Sequence, residues 1–291
     1  MEYLTEAWNA ITGSWSYFIR TLFNPSWTNY FYWLLGLSII VWILELIAPW
    51  REGQKVFRKD FWLDGFYMFF NYFFFYMIGF AALSTVSESL FNDFIGIFGI
   101  SNSIPEYVQM MPSWLQLVVF FLIVDFVHWN IHRLLHRVPW LWEFHKVHHS
   151  VEQMGFAAHL RYHWMENIVY KSLQYIPVAL IGGFDLSNVF IVHMIQTFIG
   201  HLNHANFVIP LGPFKYVLNN SKMHIWHHAK DLPEGKYGVN FGLTLSAWDY
   251  LFGTSYIPKS GRDIQLGFEE HEKFPKGFVG QFIFPFWKSK N

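Results

Sequence analysis

Apolar residues along this chain gather into a few long runs divided by polar and charged stretches. Tyr30 to Ala48 is almost unbroken, with Glu45 near its end, and Phe61 to Leu83 is dense in Phe and Tyr. A third run starts near Trp114, after Pro112 and Ser113, and continues through Phe126 into the first histidines. Spanning the hydrocarbon core of a bilayer as a helix takes about 20 mostly apolar residues, so each of these reads as a transmembrane helix. Two shorter runs, Ile168 to Ile181 and Leu186 to Ile199, are separated by Gly182 and Gly183 and read as a helical hairpin, spanning or partly embedded. From Asn219 onward no comparable run occurs, and charges, glycines and prolines return. The pattern predicts an all-α integral membrane bundle of about four transmembrane helices, capped by the more polar remainder.

Composition agrees. Charged residues make up 14% of the chain against 53% hydrophobic and 22% aromatic, whereas soluble domains carry about a quarter charged residues. A net charge of −1 leaves no basic surface for nucleic acid. The absence of cysteine excludes disulfides, thiolate metal sites and cysteine nucleophiles together. The first 25 residues lack a basic start followed by an apolar run, so no cleavable signal peptide is expected. The loop after the first run carries Arg51, Lys55, Arg58 and Lys59, and Ser84 to Ser113 carries no Lys or Arg. Arg133, Arg137 and Lys146 follow the third run, so the positive-inside rule puts the first loop, the histidine region and the C-terminus in the cytosol. No repeat or linker divides the chain. We read residues 1–291 as one membrane-embedded domain, with transmembrane helices in 28–124 and a histidine-rich catalytic region in 125–256 that includes a membrane hairpin at 166–202.

The candidate chemistry lies in the histidines, fifteen in all. His132 and His136 are four apart and extend the third membrane helix, which puts both imidazoles on one face. His145, His148 and His149 form His-x-x-His-His, and the pattern recurs at His224, His227 and His228. Imidazole-rich sites suit Fe, Zn, Cu or Ni. Eight ligands exceed what one ion takes, so two ions follow. If these histidines were only structural, each would need its own buried partner, and clustered imidazolium ions would repel one another. His193 and His271, isolated in the sequence, are read as packed core residues, and His128, one turn before His132, as either a packed residue or a support for a ligand. Asp125 lies two turns before His132 on the same stripe and is expected to accept a ligand imidazole N–H. Glu166 and Asp231 join it as catalytic-site carboxylates, and Glu143 and Asp249 are similar candidates.

At these residues the chain resembles the fatty acid hydroxylase/sterol desaturase superfamily. The resemblance is carried by Asp125 to Ser150 (DFVHWNIHRLLHRVPWLWEFHKVHHS), Arg161-Tyr162-His163 with Glu166, His204-Ala205-Asn206, His224-Ile225-Trp226-His227-His228, and Trp248 to Thr254. It implies a cytosol-facing dinuclear iron centre held by His132, His136, His145, His148, His149, His224, His227 and His228. His204 matches a further ligand from the last membrane helix, His201 would share its face, and His163 matches a frequent family histidine. Two departures are Trp164, where the family often has Pro, and Lys236, where it often has Asn.

The implied reaction is reductive activation of O2 followed by removal of hydrogen from a lipid C–H bond. The substrate is a fatty acyl, sterol-like or ether lipid, and the outcome hydroxylation, desaturation or ether cleavage. Purified samples can carry zinc in place of iron. No Rossmann fingerprint, haem motif or cysteine cluster is present, so electrons must come from an external donor: a ferredoxin, a cytochrome-type protein or a reduced pterin. Phe69, Phe73 and Phe74 are candidates to line a path from the bilayer. The rival classes are a metal-dependent membrane hydrolase and a membrane metal-binding or transport protein.

Overall fold

A computed structural model describes residues 2–78, 89–90, 92–94, 96–99, 104–168, 173, 177 and 181–286. Its elements are α1 (Glu2–Phe23), α2 (Tyr30–Ile47), α3 (Phe61–Ile78), α4 (Ile104–Gln109), α5 (Ser113–Arg137), α6 (Pro139–His149), α7 (Leu186–His204), α8 (Ser221–His227), α9 (Ala247–Leu251) and α10 (Phe278–Ile283). Short 3-10 turns occur at Phe156–Leu160, Gly212–Tyr216 and His271–Lys273. Among the described residues there is no strand, only two isolated antiparallel bridges, Leu218 to Leu245 and Ala229 to Leu266.

Two of these helices, α2 and α5, are long and apolar enough to cross a membrane. The end of the second apolar run, beyond Ile78, and most of the Ile168–Ile181 arm of the expected hairpin lie outside the described residues. The other arm is α7, which runs past Ile199 to His204. The apolar runs gave no sign of α1. Its apolar residues are interrupted by polar ones in sequence but align on the helix: Phe18 is buried against Leu34, Met68 and Tyr72, while Leu4, Trp8, Trp15, Ile19 and Phe23 are exposed. Asn29 joins α1 to α2, its oxygen accepting the Phe31 N–H and its amide donating to Thr21 O.

The break between α5 and α6 is set by two residues. Proline disfavours helical backbone in the residue before it and is itself at home at the first helical position. Val138 accordingly adopts φ −92° and ψ 112°, and Pro139 begins α6. The chain therefore turns back immediately after His136, and the histidines of α6 face those of α5. The caps of α7 and α8 are Asp185, which accepts the Ser187 N–H, and Asn220, which accepts the Met223 N–H. Glu45, the charged residue of the first apolar run, accepts the backbone N–H groups of Phe156 and Asn206. It thereby ties α2 to the 3-10 turn at Phe156 and to the segment that follows α7, both within the histidine region.

Candidate metal centre

Nine histidines come together in two groups. His132, His136, His145, His149 and His227 form one, and His148, His204, His224 and His228 the other, with ligand nitrogens in each lying within 4.8 Å of one another and all nine side chains buried. The groups adjoin, the rings of His149 and His228 being 4.4 Å apart. Helical geometry explains the division. Residues four apart differ by about 40° around the axis, while the residue three along points about 60° the other way. The pairs 132/136, 145/149 and 224/228 therefore each stay in one group, and His148 and His227 cross to the other.

Backbone and carboxylate oxygens fix the tautomers. Nδ1 of His132 lies 2.8 Å from Phe241 O, that of His227 2.8 Å from Val239 O, that of His148 3.0 Å from Arg161 O and that of His204 2.7 Å from Gly200 O. Nδ1 of His145 lies 2.8 Å from Glu166 Oε2. A carbonyl oxygen only accepts, so each imidazole facing one carries its proton on Nδ1 and leaves a bare lone pair on Nε2. Two such lone pairs, on His148 and His204, face each other at 3.3 Å. Further Nε2 to Nε2 separations are 3.1 Å for His149 and His227, 3.0 Å for His204 and His224, and 3.2 Å for His224 and His228.

Bare lone pairs at this range repel unless a cation lies between them. Ligands at about 2.0–2.1 Å from one ion stand about 2.9–3.4 Å apart for octahedral to tetrahedral angles. Nε2 of His136 and of His145 is buried without a hydrogen-bond partner. The donor set therefore fits metal ions, one per group. Burial holds the imidazoles outside the apolar helices neutral: His148 is pushed down to about 4, and His145, His149, His224, His227 and His228 lie well below the ordinary histidine value.

The other expected site residues are placed differently. His163 belongs to neither group: its Nδ1 accepts the Met165 N–H and its Nε2 faces Phe282 O. His201 is also outside, with Nε2 on Ser38 Oγ and Nδ1 beside Phe156 O. Asp231 is exposed and joins neither group. Glu166 touches the site as a support, accepting Nδ1–H of His145 on one oxygen and the backbone N–H of His163 on the other.

Asp125 does not reach His132. Seven residues along a helix amount to about 10.5 Å, so a shared stripe brings no contact. Asp125 instead accepts the N–H groups of Thr244 and Leu245 and the indole N–H of Trp248. Asp249 completes the same clamp. It accepts from Trp129 Nε1, the N–H groups of Phe241 and Gly242, and Thr254 Oγ1. The two carboxylates thus act on His132 through the loop whose Phe241 carbonyl holds it. Glu143 pairs with Lys146 at 2.6 Å. His271 packs on Phe268, with its Nε2 3.1 Å from Ser150 O.

A cavity of about 130 Å3 opens on the imidazoles of His132, His145, His148, His204 and His224. It is also lined by Leu34, Met68, Tyr72 and Leu243, together with His128 and His193. Phe69 and Phe73 pack in the neighbouring core of Phe18 and Leu34, and the side chain of Phe74 is outside the described set. His159, which no sequence pattern singled out, also lines this cavity.

Comparison with known proteins agrees with this geometry. Residues 117–254 match the fatty acid hydroxylase family. An ornithine lipid hydroxylase from Rhizobium tropici is 33% identical over 175 residues, 60% of this chain and 51% of that protein. An alkylglycerol monooxygenase from Homo sapiens is 32% identical over 231 residues, 74% of this chain and 45% of that protein. A methylsterol monooxygenase from Aspergillus fumigatus is 26% identical over 179 residues, 59% of this chain and 57% of that protein. The chain spans about half the length of these relatives. No solved structure matches. The matched segment begins inside α5 and ends just after α9, so it contains every histidine of both groups, and together with these relatives it supports the fatty acid hydroxylase/sterol desaturase superfamily.

Proposed function

We propose that this protein is a multi-pass membrane di-iron oxygenase that hydroxylates or desaturates a lipid. The observation that carries this reading is the pair of bare Nε2 lone pairs on His148 and His204, 3.3 Å apart, within a set of nine buried imidazoles. Two iron ions bound there would supply the activation of O2 and the removal of hydrogen from a C–H bond. The chain's own residues keep the imidazoles neutral, aim Nε2 inward through Nδ1–H bonds and wall the site off from water. Phe241, Val239, Arg161 and Gly200 carbonyls and the Glu166 carboxylate do the aiming.

The lipid class follows from the relatives named above, which are hydroxylases and monooxygenases of lipid and sterol substrates. The cavity suits it, since Leu34, Met68 and Leu243 give it apolar lining beside the histidines. We place the site on the cytosolic side, fed by an external ferredoxin, cytochrome-type donor or reduced pterin. A hydrolase site normally keeps carboxylate ligands around its metal-bound water, and the two groups contain histidine only among the described residues.

Protein purified from iron-replete cells and placed in lipid nanodiscs is expected to hold two iron ions per chain and to consume O2 with reductant only when a suitable lipid is added. His148→Ala is expected to abolish that uptake. Lipid-independent uptake, or a His148→Ala protein as active as the parent, would sink the proposal. Zinc-loaded protein is expected to keep the fold and show no turnover.

A further inference from the structure

The two groups are unequal, five imidazoles against four. One more histidine stands beside the smaller group. His159 lies in the 3-10 turn Phe156–Leu160, which packs against α7, and lines the same cavity as His148, His204 and His224. Its ring centre is 5.3 Å from that of His204, and its Nδ1 is 3.3 Å from Nδ1 of His201. That contact occupies Nδ1 and leaves Nε2, the nitrogen through which His132, His145, His148, His204 and His227 all face the site.

Gly200 makes the approach of this ring possible. A Cβ at position 200 would lie 2.2 Å from both Cε1 and Nε2 of His159. Gly200 stands one turn before His204 on α7, on the same face. The space beside His204 that a side chain at position 200 would fill is thus filled from the turn, by an imidazole. His201 faces away from the group, toward Ser38 and Phe156 O, and is not the candidate.

We propose that His159 is a fifth nitrogen ligand for the metal position formed by His148, His204, His224 and His228. This rests on the two-metal reading above. The nitrogens of His159 lie beyond the 4.8 Å within which the other four gather, so metal binding draws the ring inward. Five nitrogens on each ion would leave each with one of six octahedral positions open.

The test compares full-length wild type with His159→Ala, His159→Gln and Gly200→Ala, each loaded with iron in nanodiscs. His159→Gln keeps much of the side-chain volume and a hydrogen-bonding amide beside His201, which separates ligation from folding. Gly200→Ala keeps the imidazole but displaces it. Two quantities are read: iron per chain, and the rate at which each ion is lost to a chelator. Wild type is expected to hold two ions. All three variants are expected to lose one of them at least about tenfold faster, the size of effect seen when a supporting contact to a ligand is removed. X-ray absorption should show a lower mean nitrogen count per iron in the two His159 variants. A His159→Gln protein that keeps both ions, with wild-type release rates and nitrogen count, overturns the inference and leaves the two-metal reading standing. Wild type that binds fewer than two ions overturns that reading, and this inference with it.

Discussion

Glu166→Gln separates a positioning role from a direct role in the chemistry. Glu166 is buried, with Oε2 2.8 Å from His145 Nδ1 and Oε1 3.1 Å from the backbone N–H of His163. Both oxygens accept. Glutamine keeps the shape but turns one acceptor into a donor, so its NH2 must meet an N–H whichever way the amide lies. If the oxygen stays on His145, the His163 N–H is buried without an acceptor, at a cost of about 1–3 kcal/mol in stability. If the oxygen turns to His163, His145 loses the contact that fixes its tautomer, and metal affinity falls about 10–100-fold. In both cases the hydrogen bond that remains no longer has a charged acceptor and is weaker. The expected result is therefore lower thermal stability, faster loss of metal to a chelator, or both, with turnover falling in proportion to bound metal. Thermal unfolding and timed chelator challenge of the same samples measure this. A Glu166→Gln protein with wild-type stability and metal retention but no turnover would refute the positioning role.

Three further predictions follow from the same supports. Asp249→Asn places an NH2 against the Gly242 N–H or against the three donors now on Oδ1; it is expected to cost about 1–3 kcal/mol and to loosen metal through His132, and a chelator-release rate equal to wild type would count against the Phe241 link. Gly238→Ala would bring a Cβ to 2.7 Å from the Phe241 ring and 2.9 Å from His136 Nδ1; iron per chain should fall, and an unchanged ratio with unchanged melting would show that the loop gives way freely. Metal-free protein should lose stability as pH falls. The ordinary histidine value is about 6.5 in the unfolded chain, and burial holds His148 near 4 and its neighbours His149 and His228 well below that ordinary value. Between about 6.5 and 4 the unfolded chain therefore takes up protons that the fold refuses, so stability declines across that window. A melting temperature independent of pH from 7 to 4.5 would contradict this.

Much of the site was legible because a helix repeats every 3.6 residues. His132 with His136, His145 with His149 and His224 with His228 share a face by spacing alone, and the number of imidazoles called for two ions. The crossing of His148 and His227 was not legible: positions i, i+3 and i+4 read as one shared face, and only the second group draws the i+3 residue away from its neighbours. The apolar runs marked α2 and α5 directly, since length and composition are local properties. The helix α1 escaped because its apolar residues align only after the chain is coiled. The carboxylates were harder. Asp125 was given the wrong contact, because a common helical stripe says nothing about a separation of about 10.5 Å.

His159 and His163 mark the limit of reading the sequence. They are four apart, the same spacing as His132 and His136, and family resemblance pointed to His163. In a regular helix they would share a face. Here the segment is a 3-10 turn that leads into extended backbone at Arg161, so the two rings diverge. His163 is taken up by Met165 and Phe282, and His159 turns to the cavity over Gly200. The sequence by itself determined that helical histidine pairs would face one way and that their number exceeded one ion. Which imidazoles converge, and in groups of five and four, was decided by the turn at Pro139 and the clamps of Asp125 and Asp249. Spacing acts within one helix, whereas convergence depends on contacts between residues far apart in the chain.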